Sequence, residues 1–242
     1  MTNLSDKVVL VTGGGSGIGR AIAEGFAAEG CNVVIAGRTR SSLEEVVTES
    51  TGSMIANTCD VGDRNDVASL FQSIAEDVGT VDILVNSAGI NVSNRMMSNL
   101  DPADFEKVMN INVHGTFNCM HAALPAMREK KSGLIINVVS VAGRRSMLLA
   151  GLPYCVSKHA QSAIGTFVAL EDAQHGIKVT NLYPGETNTP IVDKRPTPPP
   201  PEKRAAMLQP EDVAACAILV AKLPARAVVP ELVVSPPYMM LD

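Results

Sequence analysis

The chain has no tryptophan, and only three tyrosines and five phenylalanines among 242 residues. An aromatic cage around a ligand is therefore not expected. Cysteine is equally thin. Cys31, Cys59, Cys119, Cys155 and Cys216 are odd in number and far apart, form no CxxC pair, and do not group with the four histidines. This excludes a disulfide framework and a recognisable metal site, and points to buried thiols in a reducing compartment. Only Cys155, which follows Tyr154 directly, lies next to a residue of chemical interest. No stretch approaches the ~20 apolar residues of a membrane helix. The segment Met1 to Lys7 is polar and the first apolar run is only Val8 to Val11, so no secretory leader is expected and a cytoplasmic setting is. Positive charge is in deficit, with a formal net charge of −5. Such a chain is not built to hold nucleic acid or an anionic membrane without specificity, although a local basic patch can still take an anionic cofactor.

What is present is a globular composition, 46% hydrophobic and 19% charged, of a length that buries most of its apolar surface without staples. Apolar runs at Val8–Val11, Asn32–Ala36, Met54–Thr58, Val81–Val85, Gly133–Val139 and Ile177–Leu182 read as strands. Segments with helical composition separate them: Ala21–Glu29, Ser42–Glu49, Asp66–Val78, Asp104–Leu124 ending near Pro125, and Tyr154–Gln174. The runs are continuous rather than alternating, which indicates burial on both faces. Strand alternating with helix predicts an α/β fold, a doubly wound Rossmann-type parallel sheet with helices on both faces. No repeat or linker divides the chain, so residues 1–242 are expected to form one domain. The proline-rich stretch Pro190–Pro210 should resist helix and sheet and lie on the surface as a lid or connector.

The first run leads at once into Thr12-Gly13-Gly14-Gly15-Ser16-Gly17-Ile18-Gly19 and then a helix. Glycines permit a sharp turn and close approach of backbone N–H groups to a pyrophosphate, and the helix N-terminus adds partial positive charge. The spacing Gly13-x3-Gly17-x-Gly19 is not the commonest dinucleotide fingerprint. It resembles the TGxxxGxG turn of the short-chain dehydrogenase/reductase family. Further stations are similar and in order: Asp60-Val61 beside the adenine; Asn86-Ser87-Ala88-Gly89 for NNAG, with serine replacing the second asparagine; Asn112-Val113-His114-Gly115-Thr116-Phe117 for NxxGTF; Ser140; Tyr154-x3-Lys158; and Pro184-Gly185-Glu186-Thr187-Asn188-Thr189-Pro190 for PGxxxTP. The resemblance spans about residues 5 to 190.

Reduction of a carbonyl leaves an alkoxide that needs a proton. Positions four apart share a helix face, so Tyr154 and Lys158 can point into one cleft, where a cation favours the phenolate. Ser140 ends an apolar strand, where ligands bind in open α/β sheets, and its hydroxyl can polarise the substrate oxygen. The resemblance further implies that Lys158 bonds the nicotinamide ribose and that Asn112 anchors a water relaying protons from Lys158. It also implies cofactor contacts from Thr12, Gly13, Gly15, Ser16, Gly17, Ile18, Gly19, Asp60, Val61, Asn86, Ala88, Gly89, Tyr154, Lys158, Pro184, Gly185, Thr187 and Thr189. The second strand ends Ala36-Gly37-Arg38-Thr39-Arg40, with no acid for a ribose 2′-OH. Arg38, with Thr39 beside it, suits a 2′-phosphate, so NADP(H) is favoured and NAD(H) remains open.

The expected activity is hydride transfer between that cofactor and a small carbonyl or secondary alcohol, of the 3-oxoacyl or hydroxy-acid kind. Met147, Leu148 and Leu149 suggest an apolar wall, whereas Arg144 and Arg145 read as a solvated pair before an anion site. The family's VDGG-like ending is missing. Glu231-Leu232-Val233-Val234-Ser235-Pro236-Pro237 stands there instead and resembles a subgroup acting on small hydroxy acids, a departure that bears on the tetramer contact. A homodimer or homotetramer is expected through the helices at Asp104–Leu124 and Tyr154–Gln174. Two other readings are weaker. One is a catalytically silent NADP(H)-binding regulator or redox sensor, which an intact Ser140, Tyr154 and Lys158 disfavours. The other is a hydrolase, which lacks a GxSxG elbow and a histidine placed as base.

Overall fold

In the computed structural model, which describes residues 2–240, seven parallel strands form one sheet in the order β3-β2-β1-β4-β5-β6-β7. The strands are β1 (Val8–Thr12), β2 (Asn32–Gly37), β3 (Met54–Thr58), β4 (Ile83–Asn86), β5 (Gly133–Val138), β6 (Ile177–Pro184) and β7 (Glu231–Val234). Every residue of β1, β4 and β5 is buried. Successive side chains on a strand point to opposite faces. Val9, Val11 and Val85 thus enter a core with Ile22, Phe26 and Ala217. Leu10 and Leu84 enter a second core with Leu70, Met120 and Met127 on the other side. The apolar runs are continuous because both faces are covered.

The helices are α1 (Gly17–Ala28), α2 (Arg40–Glu49), α3 (Arg64–Asp77), α4 (Pro102–Met109), α5 (Gly115–Lys130), α6 (Leu152–Asp172), α7 (Pro201–Ala206) and α8 (Pro210–Ala221). The Asp63 and Asp101 side chains accept from backbone N–H groups in the first turns of α3 and α4. Three sequence expectations need correction. The segment expected as one helix over Asp104–Leu124 is two, α4 and α5, joined by a single π turn at Asn110–His114. Nor does α5 stop near Pro125. It runs to Lys130, because the proline removes one donor only, and both Pro125 and His121, whose carbonyl is freed, face solvent. The proline-rich stretch does form helix: Pro190–Lys194 is a 3₁₀ turn, and Pro201 opens α7 at a position where a missing N–H costs nothing. Beyond it, α8 and β7 were not anticipated. Gln209-Pro210-Glu211-Asp212 is a capping box with proline at its first helical position, and α8 packs on α1 where Gly25 admits Ile218.

Strand order reverses between β1 and β4. Their carboxyl ends open a crevice at the switch point, the place where such sheets bind ligands.

Candidate active site

The glycine turn is held in place before any ligand arrives. Thr12 Oγ1 donates to Val85 O (3.3 Å) and accepts from the N–H groups of Ser87 and Ala88, at 3.2 Å each. This binds the ends of β1 and β4 together. Gly13 has φ of +69°, and a Cβ on Gly19 would fall 2.3 Å from Gly13 O, so neither position admits a side chain without rearrangement. Ser16 flanks α1 without capping it, and the first turn carries no acid. Its N–H groups are therefore free to meet an anion.

Two adjoining hollows share Gly13, Ser16, Gly89 and Ile90. The larger, about 360 Å³, is lined by Gly17, Ile18, Gly19, Ser140, Tyr154, Lys158, Pro184, Gly185, Thr187 and Thr189 among others. The smaller, about 200 Å³, holds Gly15, Arg38, Thr39, Asp60, Val61 and Ala88. Most residues expected to touch cofactor therefore border one continuous groove. Thr12, Asn86 and Asn112 stand behind it. Asn86 Nδ2 donates to Asn137 Oδ1 (2.9 Å), and Asn137 Nδ2 to Asn181 Oδ1 (3.0 Å), an amide ladder across β4, β5 and β6. Arg38 is exposed and has no carboxylate partner among the described residues, whereas Arg40 is bonded to Glu44 at 2.7 Å. The groove fits a dinucleotide phosphate chain on this chemistry: a ring of glycines, an uncapped helix start and an uncommitted guanidinium.

At the other end, α6 begins at Leu152 and brings Tyr154 and Lys158 onto one face, with Lys158 Nζ 5.5 Å from the centre of the Tyr154 ring. Ser140 follows β5, and its Oγ accepts from Ala142 N (3.1 Å). Burial pushes the Tyr154 phenol up to about 12, while the Ser140 hydroxyl acts in the opposite direction by stabilising the phenolate. Burial also lowers the Lys158 ammonium to about 7. Lys158 Nζ donates to Val138 O (2.9 Å) and Gln161 Oε1 (2.7 Å). Gln161 is fully buried, and its Nε2 donates to Thr116 Oγ1 (3.0 Å), which donates to Asn112 O (2.9 Å). The lysine and the π turn are thus joined by side chains.

Asn112 occupies that π turn. Its amide pairs with both backbone groups of Ile90, at 2.8 and 3.0 Å, and donates to Ser157 Oγ (3.0 Å). A Cβ on Gly89 would stand 3.6 Å from both Asn112 Oδ1 and Lys158 Nζ, ordinary contact distance, so the chain at Gly89 lies directly against both groups.

Sequence reading missed Gln161, although its position three residues after Lys158 on one helix face was a usable signal. It also missed Arg95, buried in a loop without periodicity. Arg144 reaches Glu231 at 3.7 Å and lies over the Tyr183 ring, so it is held away from a substrate role.

Residues 7–199 match the family model described as short chain dehydrogenase, and the chain belongs to that family. An uncharacterized oxidoreductase of Staphylococcus saprophyticus is 35% identical over 240 residues, covering 98% of this chain and 100% of the relative. A 3-ketoacyl-(acyl-carrier-protein) reductase from Brucella melitensis complexed with NADH superposes with a TM-score of 0.85 at 28% identity, covering 97% of this chain and 98% of the other. The closed form of a serine dehydrogenase complexed with NADP+ gives 0.87 at 27% identity, covering 95% and 94%. The fold is that of nicotinamide-binding oxidoreductases acting on CH–OH and C=O groups, which act on small molecules. Among the described residues no helix is long and apolar enough to cross a membrane.

Proposed function

We propose that this chain is an NADP(H)-dependent oxidoreductase that interconverts a secondary alcohol and a carbonyl, of the 3-oxoacyl or hydroxy-acid kind. The observation that carries the reading is the convergence of Ser140, Tyr154 and Lys158 on one groove continuous with the glycine turn. Bound nicotinamide supplies or accepts the hydride. Tyr154 Oη gives the proton to the nascent alkoxide, or takes it in the reverse direction. Ser140 Oγ holds the substrate oxygen, and Lys158 stabilises the phenolate. Asn112, through Ile90 and Ser157, fixes the wall behind the lysine. Arg38, with Thr39, holds the 2′-phosphate, and Asp60 and Val61 border the adenine. One dinucleotide-binding domain presents Pro190–Pro210 as its substrate-side loop. Phe117 on α5, and Phe167 and Leu170 on α6, are 44%, 67% and 77% exposed and supply an apolar face for a second copy of the chain.

Parallel titrations with NADPH and NADH, followed by nicotinamide fluorescence, test the cofactor assignment. NADPH is expected to bind at least about tenfold more tightly, equivalent to ~1.4 kcal/mol, with Arg38→Ala abolishing the difference. Equal binding would remove Arg38 from the phosphate site.

A further inference from the structure

The two substrate kinds named above differ in charge at the end remote from the reacting carbon, and the groove bears on that choice. Beyond Tyr154 it is bounded by Arg95, by the turn at Met147–Ala150, and by Lys194 and Arg195. Arg95 is 4% exposed. Its stem packs over Gly151, where a Cβ would fall 2.5 Å from Arg95 Cβ, and its carbonyl accepts from Leu152 N (2.9 Å) at the start of α6. The residue is thus fixed one turn of chain from Tyr154.

The guanidinium donates to Leu149 O (3.2 Å) and Lys194 O (2.6 Å), and its Nε has no partner. Among the described residues no carboxylate lies within ion-pair distance of it. Burial, and to a lesser degree the like charge of Arg195, hold Arg95 below the usual arginine range. Arg195 pairs with Glu186 at 2.8 Å, Lys203 with Glu186 at 3.6 Å, and Arg204 with Asp193, whereas Lys194, at the same rim and without a carboxylate partner among the described residues, is exposed to solvent. Peptide carbonyls satisfy N–H groups but do not neutralise charge, and an arginine cannot shed its proton. An unpaired buried cation is costly unless an anion completes it. At the substrate end of a groove, the anion that can do so is the ligand.

We infer that the substrate is a short-chain carboxylic acid, its carboxylate held by the Arg95 guanidinium and its carbinol or carbonyl carbon presented to Ser140 and Tyr154. This rests on the oxidoreductase reading above. A cleft of about 360 Å³ that also takes a nicotinamide ring accommodates a short acid between Tyr154 and Arg95. Asn91 serves as wall, both ends of its amide being spent on Ala150 O (2.9 Å) and Val92 N (2.8 Å).

The test compares 3-hydroxybutanoate and lactate, each beside its methyl ester, with NADP+ as oxidant. The acids are expected to exceed their esters in kcat/KM, and Arg95→Gln to lower that acid-to-ester ratio by about 30-fold, or ~2 kcal/mol. Arg95→Lys, which keeps the charge, should retain part of the preference. If Arg95 only ties Leu149 to Lys194, Arg95→Gln lowers acid and ester alike and leaves the ratio unchanged, which overturns the inference. Esters turned over as well as acids by the wild type overturn it too, while the oxidoreductase reading stands. Where neither is turned over, calorimetric titration of the protein–NADPH complex with 3-hydroxybutanoate decides. Saturable binding lost in Arg95→Gln supports the site, and no binding refutes it. A protein that binds neither NADPH nor NADH removes the underlying reading and this one with it.

Discussion

Tyr154→Phe is expected to lower kcat by about 10²- to 10⁴-fold, the range associated with losing a positioned proton donor. The substitution deletes one oxygen. The ring keeps its place in the first turn of α6, and its neighbours Pro153 and Cys155 stay buried. Cofactor affinity should therefore change little while the chemical step collapses, a fall in kcat and kcat/KM together. Ser140→Ala should cost less, on the order of tenfold to a hundredfold, because it removes a contact to the reacting oxygen but leaves the proton source intact. With the phenol pushed up to about 12 by burial, Tyr154 stands protonated at neutral pH, the state suited to carbonyl reduction. Steady-state kinetics in both directions check this. A Phe variant that keeps more than a tenth of wild-type turnover would mean that another group supplies the proton.

How much of this was legible beforehand depended on whether the signal was local. The strands of the sheet centre were readable because burial on both faces demands unbroken Val, Ile and Leu, as in Gly133–Val138. The glycine turn was readable because its backbone conformations exclude side chains. Tyr154 and Lys158 were readable as a pair because helix geometry alone places i and i+4 together. The π turn was not: the chain around Asn110–His114 has helical composition, and the extra residue in the turn follows from Asn112 being tied to Ile90, a contact set by the tertiary fold. β7 was passed over because its burial alternates at the sheet edge and it is only four residues long. Arg95 was invisible for a related reason. Its significance lies in a missing carboxylate, and nothing in a linear sequence shows which acids fall near which bases.

Lys158 should give the enzyme its pH dependence. Burial lowers its ammonium to about 7, while Val138 O and Gln161 Oε1 accept from the charged form and so resist the fall. Lysine and tyrosine share one cleft, so the pair loses its first proton through about pH 7, and the remaining proton is distributed between phenolate–ammonium and phenol–amine. Reduction consumes the doubly protonated pair, and kcat/KM in that direction should fall as pH rises through about 7. Oxidation needs the pair with one proton gone and should rise over the same interval. Gln161→Leu removes an acceptor that favours the ammonium and should move both midpoints to lower pH. Gln161→Glu adds a negative charge and should move them higher. A Gln161 that merely packs would change rates without moving either midpoint. The same lysine bears on stability. Between its ordinary 10.5 and about 7 the unfolded chain binds a proton that the folded chain does not, so Lys158 costs stability as pH falls through that window, up to a few kcal/mol at full effect. Lys158→Met escapes this dependence and strands two carbonyl acceptors at every pH. The difference in Tm between the Met variant and wild type should therefore favour the variant by several degrees more at pH 7 than at pH 10. A difference that stays constant across that interval would mean that Lys158 is charged in the folded protein throughout, and the pH profile of catalysis would then have to come from another group.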